Sequence, residues 1–212
     1  FGNIYAFNYE AIEILKINDD LKIEKNWFIN FNITSLPSLT IGSNNKIYVY
    51  LPLIGIVEYS SEGKILKQVL NDPACIDKYE TISIGARGKI TANNGNNIFL
   101  WFTKQGKSKA FSFNMDTEQC KRENIGEYIN FMAFDKKSRV VVMAPSWIFV
   151  TGFFELKGNS AIYPKSLSPE AIVIDNLNNY YIYNLDMNEI LVIKDTGKIN
   201  RIIKLDSSIV IK

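Results

Sequence analysis

Histidine is missing from this sequence, and cysteine occurs only twice. Without histidine the chain can hold neither a histidine-dependent catalytic triad nor an imidazole zinc site. Two cysteines are too few for a thiolate zinc site. Glycine-rich phosphate loops are also missing, because GARG at Gly85 and NNGNN at Asn93 lie in a strand-and-turn context with no helix to receive an anion. We therefore expect no catalytic residue, no metal site and no cofactor, and a protein that is not an enzyme.

An excess of charge of one sign is lacking too. The 24 basic and 22 acidic side chains leave a net charge of +2, which gives no general electrostatic field for nucleic acid or an anionic membrane. No apolar run approaches the roughly 20 residues that a membrane helix requires. The longest one, residues 47–57, is interrupted by Pro52 and Gly55. Nucleic-acid binding and a membrane span are therefore not expected.

The two cysteines, Cys75 and Cys120, permit one disulfide. Spacing alone does not show whether their Cα atoms come within the roughly 7 Å that a bridge requires, so a disulfide and two free thiols both remain open. A bridge would place the protein in an oxidising compartment. The sequence also begins without an initiator Met or a signal peptide, as processed and trimmed chains do. We expect an extracytoplasmic protein, which is secreted, periplasmic or at the cell surface.

What the chain has is a repeat. The stretch NNKIYVYLPLIGIVEYSSEGKILKQV, beginning at Asn44, returns as NNYYIYNLDMNEILVIKDTGKINRII, beginning at Asn178. Units of about 40 residues are typical of solenoids, propellers and other arrays. Each copy contains four short runs that alternate in polarity and are separated by turn residues, which predicts a four-stranded antiparallel sheet. Acidic residues in these turns, such as Asp186 and Glu189, lack the spacing of a calcium loop, and turn geometry explains them.

The repeats predict an all-β fold, a β-propeller of four-stranded blades. Helical repeats are the competing interpretation, but no segment of ten or more residues has a period of 3.6. The second strands begin near Ile4, Ile47, Ile98, Val140 and Tyr181, which gives five blades. We expect a single domain with blades at 1–28 plus 208–212, 29–70, 81–124, 128–164 and 169–205. The second strand of each blade should be buried on both faces by its neighbours.

The ends of the chain predict how the ring closes. The first repeat lacks its first strand, and a spare apolar strand, residues 209–212, follows the last repeat. Supplying that strand to the first blade would close five blades and remove two exposed edges. A fragment of a six- or seven-bladed propeller has the same termini and is the alternative.

Aromatic residues supply the candidate binding surface. The spacing between the second and third repeats is about nine residues longer than the others, which predicts an inserted loop at residues 70–80. Trp147 stands in a turn where other repeats carry polar residues, so it is expected to contact this inserted loop or a partner. Connections between second and third strands and between successive blades share one rim. That rim would present Trp27, Phe28, Tyr79 and Trp147. We therefore expect a non-enzymatic interaction or scaffold domain with a protein partner, and a carbohydrate-binding propeller is the alternative.

Segments such as NNYYIYNLDMNEILVIKDTGKI resemble NHL-type repeats and the related six-bladed propellers of bacterial surface proteins. The resemblance implies a scaffold for binding. Some propellers of this broad group are lactone hydrolases similar to gluconolactonase, which hold a metal in the central channel with Glu, Asn and Asp. A hydrolase of that type is a third, less favoured hypothesis, and Glu58, Glu155 and Asp175 are its candidate carboxylates.

Ring closure can be tested by deleting residues 208–212. If Ile209, Val210 and Ile211 are buried in the first blade, the deletion should cost about 5 to 9 kcal/mol, which is comparable with the stability of a whole domain. The truncated protein should then be insoluble or molten when its circular dichroism melt is recorded. A cooperative melt within a few degrees of that of the full chain would show that the strand is not part of the ring.

Overall fold

The computed structural model describes residues 4–8, 10–18, 20–31, 37–42, 45–52, 54–70, 87–93, 96–104, 107–123, 129–150 and 154–206. These residues form five antiparallel sheets, A to E, whose strands follow one another in chain order. The all-β prediction is therefore confirmed. No helix in these ranges is long and apolar enough to cross a membrane.

Sheet A has three strands in the described ranges, and the other four sheets have four each. The fourth strand expected for sheet A, residues 209–212, lies outside the described residues. Sheet A comprises β1 (Ile4–Asn8), β2 (Glu13–Ile17) and β3 (Ile23–Phe28); sheet B comprises β4 (Ser38–Ile41), β5 (Ile47–Leu51), β6 (Gly55–Tyr59) and β7 (Ile65–Leu70); sheet C comprises β8 (Arg87–Ala92), β9 (Asn97–Lys104), β10 (Lys107–Asn114) and β11 (Cys120–Glu123); sheet D comprises β12 (Phe131–Phe134), β13 (Val140–Ala144), β14 (Trp147–Val150) and β15 (Phe154–Lys157); and sheet E comprises β16 (Pro169–Ile174), β17 (Tyr180–Asn184), β18 (Glu189–Ile193) and β19 (Ile199–Lys204).

The chain divides into two compact units. The first consists of Phe1–Lys104 and Ala110–Glu123 and contains sheets A and B and most of sheet C. The second consists of Gln105–Lys109 and Asn124–Lys212 and contains sheets D and E. The single closed domain and its blade boundaries stay predictions.

Strand β5 shows how the sheets pack. All five of its residues are buried. Ile47, Val49 and Leu51 pack in a cluster with residues of sheet A, whereas Tyr48 and Tyr50 pack on the opposite face with residues of sheet C. Successive side chains of a strand point to opposite faces, so a strand that is apolar throughout needs a neighbour on each side. The predicted two-faced burial is confirmed here.

Turns within the sheets are closed by a polar side chain that caps the backbone. In sheet D, Asp135 Oδ1 accepts hydrogen bonds from the amides of Lys137 (2.8 Å) and Arg139 (2.9 Å), and Ser138 has a φ of 57°. In sheet E, Asp175 accepts from the amides of Leu177 and Asn179 in the same way. This geometry explains why Asp, Asn and Ser recur at these positions.

Asp135 also links sheets D and E. Its Oδ2 accepts hydrogen bonds from Arg139 Nε (2.6 Å) and from the hydroxyl of Tyr180 (2.6 Å), and Arg139 continues to Asp195. Burial acts to raise the pKa of Asp135, but the hydrogen bonds from Tyr180 and Arg139 outweigh it and lower the pKa below its usual value. The carboxylate is therefore held ionised between the two sheets.

We expect Asp135→Asn to lower the free energy of unfolding of the second unit by about 2 to 4 kcal/mol, because it removes the charge that Arg139 and Tyr180 bind. The matched control is Asp175→Asn, whose side-chain partners are Asn179 and Tyr181, and it should cost about 1 kcal/mol. Urea unfolding measures both changes.

The cost of Asp135→Asn should also depend on pH. Because the folded-state pKa of Asp135 is lowered, its contribution to the free energy of unfolding is present above its unfolded pKa and is lost as pH falls through the folded value. The difference in stability between Asp135→Asn and the wild type should therefore shrink below about pH 4. Equal costs for the two variants would contradict the role of this link.

Candidate functional site

The predicted aromatic rim is only partly a surface. Trp27 packs edge-on against Tyr5, with ring centroids 6.2 Å apart. A Cβ at Gly63 would lie 2.7 Å from Cδ2 of Trp27, so the indole also lies directly against a turn of sheet B. Phe28, by contrast, is 63% exposed. Trp27 therefore contributes mainly to packing between sheets A and B.

Trp147 is the first residue of β14, so it belongs to a strand and not to the turn predicted for it. It is half-buried and lies opposite Ala144 on one side and Lys157 on the other. Tyr79 lies outside the described residues. A protein or carbohydrate partner at this rim stays a prediction.

The three carboxylates proposed for a hydrolase have other partners. Glu58 is buried and forms an ion pair with Lys46 at 2.9 Å, and Glu155 pairs with Lys157 at 2.9 Å. Asp175 caps its turn, and hydrogen bonds from Asn179 lower its pKa. Among the described residues no group of three or more His, Cys, Asp or Glu side chains is placed to hold a metal ion.

Cys120, the first residue of β11, is disulfide-bonded. Its predicted partner, Cys75, lies outside the described residues, so the pairing stays a prediction.

A different pair of positions emerges from the repeat. An Asn ends β1 of sheet A and β17 of sheet E, and a Glu begins the next strand, β2 or β18. In each sheet the Asn and the Glu face each other across the turn. Asn8 faces Glu13 in sheet A, and Asn184 faces Glu189 in sheet E. Both glutamates are buried, with exposures of 8% and 0%. We call the pairs Asn8–Glu13 and Asn184–Glu189, with the residues around them, the two stations. They occupy the same place in the repeat, so their surroundings can be compared directly.

The carboxylate of Glu13 is fully bonded. Its Oε1 accepts a hydrogen bond from Asn8 Nδ2 at 3.0 Å, and its Oε2 accepts one from Asn26 Nδ2 at 2.5 Å. Buried polar groups are normally satisfied in this way. Glu13 therefore has a structural role in sheet A.

The carboxylate of Glu189 is only half bonded. Tyr163 donates its phenol proton to Oε1, whereas Oε2 is buried and has no hydrogen-bond partner among the described residues. Asn184 does not bond the carboxylate: its Nδ2 donates to the hydroxyl of Tyr163 (3.0 Å) and to the carbonyl of Ser166 (3.0 Å). A buried carboxylate oxygen without a donor costs free energy, so its retention calls for an explanation.

The register shows why the second donor is missing. Asn26 lies opposite Leu15 in sheet A, and the equivalent position opposite Leu191 in sheet E is Ile202. Ile202 is 38% exposed, so packing does not demand an apolar residue there. An apolar side chain thus stands where the other copy of the repeat supplies an amide.

Tyr163 completes the site. It lies in the connection between β15 and β16, its amide donates to Ser160 Oγ at 3.0 Å, and its side chain is buried. Burial and the hydrogen bond to Glu189 raise the pKa of Tyr163 to about 12. The phenol therefore stays protonated at neutral pH and acts as a hydrogen-bond donor, while Oε2 of Glu189, which has no donor among the described residues, is available as an acceptor. Glu189 was predicted to be a turn residue, and Tyr163 was not among the predicted site residues, because its contact with Glu189 joins segments that are distant in sequence.

Among solved structures, the fold is similar to that of virginiamycin B lyase from Staphylococcus aureus, with a TM-score of 0.62 and 17% identity over 97% of this chain and 67% of the lyase. A streptogramin B lyase gives a TM-score of 0.63 and 15% identity over 97% of this chain and 66% of the other. The Dos1 propeller gives a TM-score of 0.54 and 11% identity over 97% and 56%. The chain therefore has a β-propeller fold and spans about two thirds of the length of these lyases.

A further structure of the S. aureus lyase is a catalytically inactive variant, with one histidine replaced by alanine, in the presence of quinupristin. No protein-family model and no curated protein sequence matches the chain.

These neighbours contradict the expectation of a non-enzymatic interaction or scaffold domain, because the same fold at nearly full coverage of this chain belongs to lyases. The expectation that the chain is not an enzyme is wrong on the same finding. The expectation was wrong for a physical reason. A propeller can assemble a site from residues that are distant in sequence, so the lack of a local catalytic motif does not exclude catalysis.

We expect the two stations to respond in opposite ways when their third residue is exchanged. Ile202→Asn should stabilise the second unit by about 1 kcal/mol by giving Glu189 Oε2 a donor, and Asn26→Ile should destabilise the first unit by about 1 to 3 kcal/mol by removing one from Glu13. Urea unfolding of the two variants measures both effects. Destabilisation by Ile202→Asn together with a neutral Asn26→Ile would contradict the comparison of the two stations.

Proposed function

We propose that this chain is the propeller part of an enzyme of the lyase class, and that Glu189 and Tyr163 are its proton-transfer pair. The observation that carries the proposal is the carboxylate of Glu189, which is buried with one oxygen bonded by a phenol and the other without a donor in the described part of the chain. The equivalent Glu13 is fully bonded.

The two groups have complementary proton-transfer roles. Elimination breaks a C–H bond and a bond from the adjacent carbon to a leaving atom, and a C=C bond forms between the carbons. Glu189 Oε2 would accept the proton from carbon, and Tyr163 would protonate the leaving atom. Surroundings of low dielectric strengthen both interactions, and general acid–base groups contribute about 10² to 10⁴ in rate each.

The lack of histidine shapes this proposal. The S. aureus lyase variant in which a histidine is replaced by alanine is catalytically inactive, and this chain has no histidine. Proton transfer by residues of this chain must use other groups, and we assign it to the carboxylate and the phenol that meet at Glu189 and Tyr163. The likeness to the lyases supports the reaction class only through the fold.

Two further assignments are part of the proposal. Membership of the NHL-type repeat group rests on the turn and strand pattern of the repeats at Asn44 and Asn178. An extracytoplasmic location is supported by the disulfide at Cys120, because such bonds persist in oxidising compartments.

Activity is tested with quinupristin and related streptogramin B compounds as probes, and products are read by mass spectrometry. The masses of the elimination products add up to the mass of the substrate, whereas those of the hydrolysis products exceed it by one water. Glu189→Gln should lower turnover at least about 100-fold, and Glu13→Gln, the matched control, should keep the turnover of the folded protein. Full activity in Glu189→Gln, or no turnover by the wild type, would contradict the proposal.

Ile202→Asn gives an independent test, because it should make the protein more stable and less active. Occupying Glu189 Oε2 with an amide removes the oxygen that accepts the substrate proton, so we expect kcat to fall at least about tenfold while the melting temperature rises. Steady-state kinetics and a thermal melt on the same preparation measure both. Unchanged kcat in the stabilised variant would show that Oε2 takes no part in turnover.

A further inference from the structure

The connection between β15 and β16, residues 158–168, which we call the strap, covers Glu189. It has two buried anchors, Tyr163 and Leu167, which belong to the hydrophobic core of the second unit. Between and around them the side chains are exposed, including those of Ile162, Lys165 and Ser166. The strap therefore behaves as a surface segment that is held down at two points.

The stem of the strap is fixed. A Cβ at Gly158 would lie 3.1 Å from both the amide nitrogen of Leu167 and the carbonyl of Lys165, and Asn159 has a φ of 62°. The amide of Asn159 donates to the carbonyl of Lys165 at 3.0 Å. These short-range contacts keep the strap folded upon itself.

Polar contacts hold the strap to sheet E. Asn184 Nδ2 bonds the carbonyl of Ser166, and Asn184 Oδ1 accepts from the amide of Ser168 at 2.8 Å. On the exposed side, Ser166 Oγ donates to Asp186 Oδ2 at 2.6 Å. Exposed hydrogen bonds compete with water and contribute little each, so the Ser166–Asp186 contact is the weakest point of the attachment.

We propose that the strap is a lid over Glu189 and that the Ser166–Asp186 hydrogen bond is its latch. The inference rests on the proposed function, since a base with 0% exposure must be uncovered before a substrate can reach it. Release of the latch and of the contacts to Asn184 lifts Tyr163 from Glu189 and opens Oε2 to solvent. Tyr163 then returns with the strap to close the site over bound substrate.

Access to Glu189 is measured without any substrate by carbodiimide-driven coupling of glycinamide to carboxylates, read by peptide mass spectrometry. Ser166→Ala should raise the labelling rate of Glu189 about two- to tenfold, the range expected for loss of one exposed hydrogen bond. Labelling of Glu13 should stay unchanged. Glu155→Gln, which breaks an exposed ion pair on the neighbouring strand β15, is the matched control and should alter neither rate.

Asp186→Ala removes the latch from the other side and replaces Ser166→Ala should that variant fail to fold. The double variant should label Glu189 at the rate of either single variant, because both remove the same bond. Unchanged labelling of Glu189, or equal increases at Glu189 and Glu13, would overturn the lid. The proposed function is tested separately, by turnover of the probe. If Ser166→Ala labels Glu189 faster but the wild-type protein converts no probe, the lid is supported and the enzymatic function is contradicted.

Discussion

Burial of the second strand on both faces is the constraint on which the rest of the structure depends. Strand β5 has no polar face to turn toward water, so sheet B is stable only with apolar clusters on either side of it. Stacking of sheets follows from this requirement. It also forces every polar group near a second strand into a water-poor space, where it must find a partner or cost stability.

The buried carboxylates of the described sheets show how that cost is met. Glu13 is bonded by two asparagines, Glu58 by a lysine, and Asp135 by an arginine and a tyrosine. Each takes its partners from residues that the repeat places nearby. Glu189 departs from this rule at a position where the rule is easily met, because a single amide in place of Ile202 would meet it. An unsatisfied group that evolution could remove by one exposed substitution fits a functional residue better than a structural accident.

The sequence carried the architecture well because its signals are local. Alternation of apolar residues and the turn residues around them depend on neighbours along the chain, and both predicted the described strands of sheets A to E. Trp147 is an exception, because it was predicted in a turn and begins β14. The site was not predictable in the same way. Trp27 was assigned to a surface because nothing in its own strand shows that Gly63 lies against its ring, and Tyr163 meets Glu189 only through a connection 26 residues away in sequence. The expectation of a scaffold failed for the same reason, since it equated missing motifs with missing chemistry.

Comparing equivalent positions in two copies of a repeat can point to functional residues that a single copy does not reveal. Two copies of one unit have equivalent strands and turns. A difference between their equivalent polar positions is therefore not explained by the fold alone. Glu13 and Glu189 are matched in this way, and their surroundings differ at Asn26 against Ile202 and in the phenol of Tyr163. Sheet B has Leu51 and Gly55 at the same positions. The fold therefore does not require a carboxylate at either station. Glutamate at this place is therefore an addition to the propeller, and at Glu189 one carboxylate oxygen is buried without a donor among the described residues.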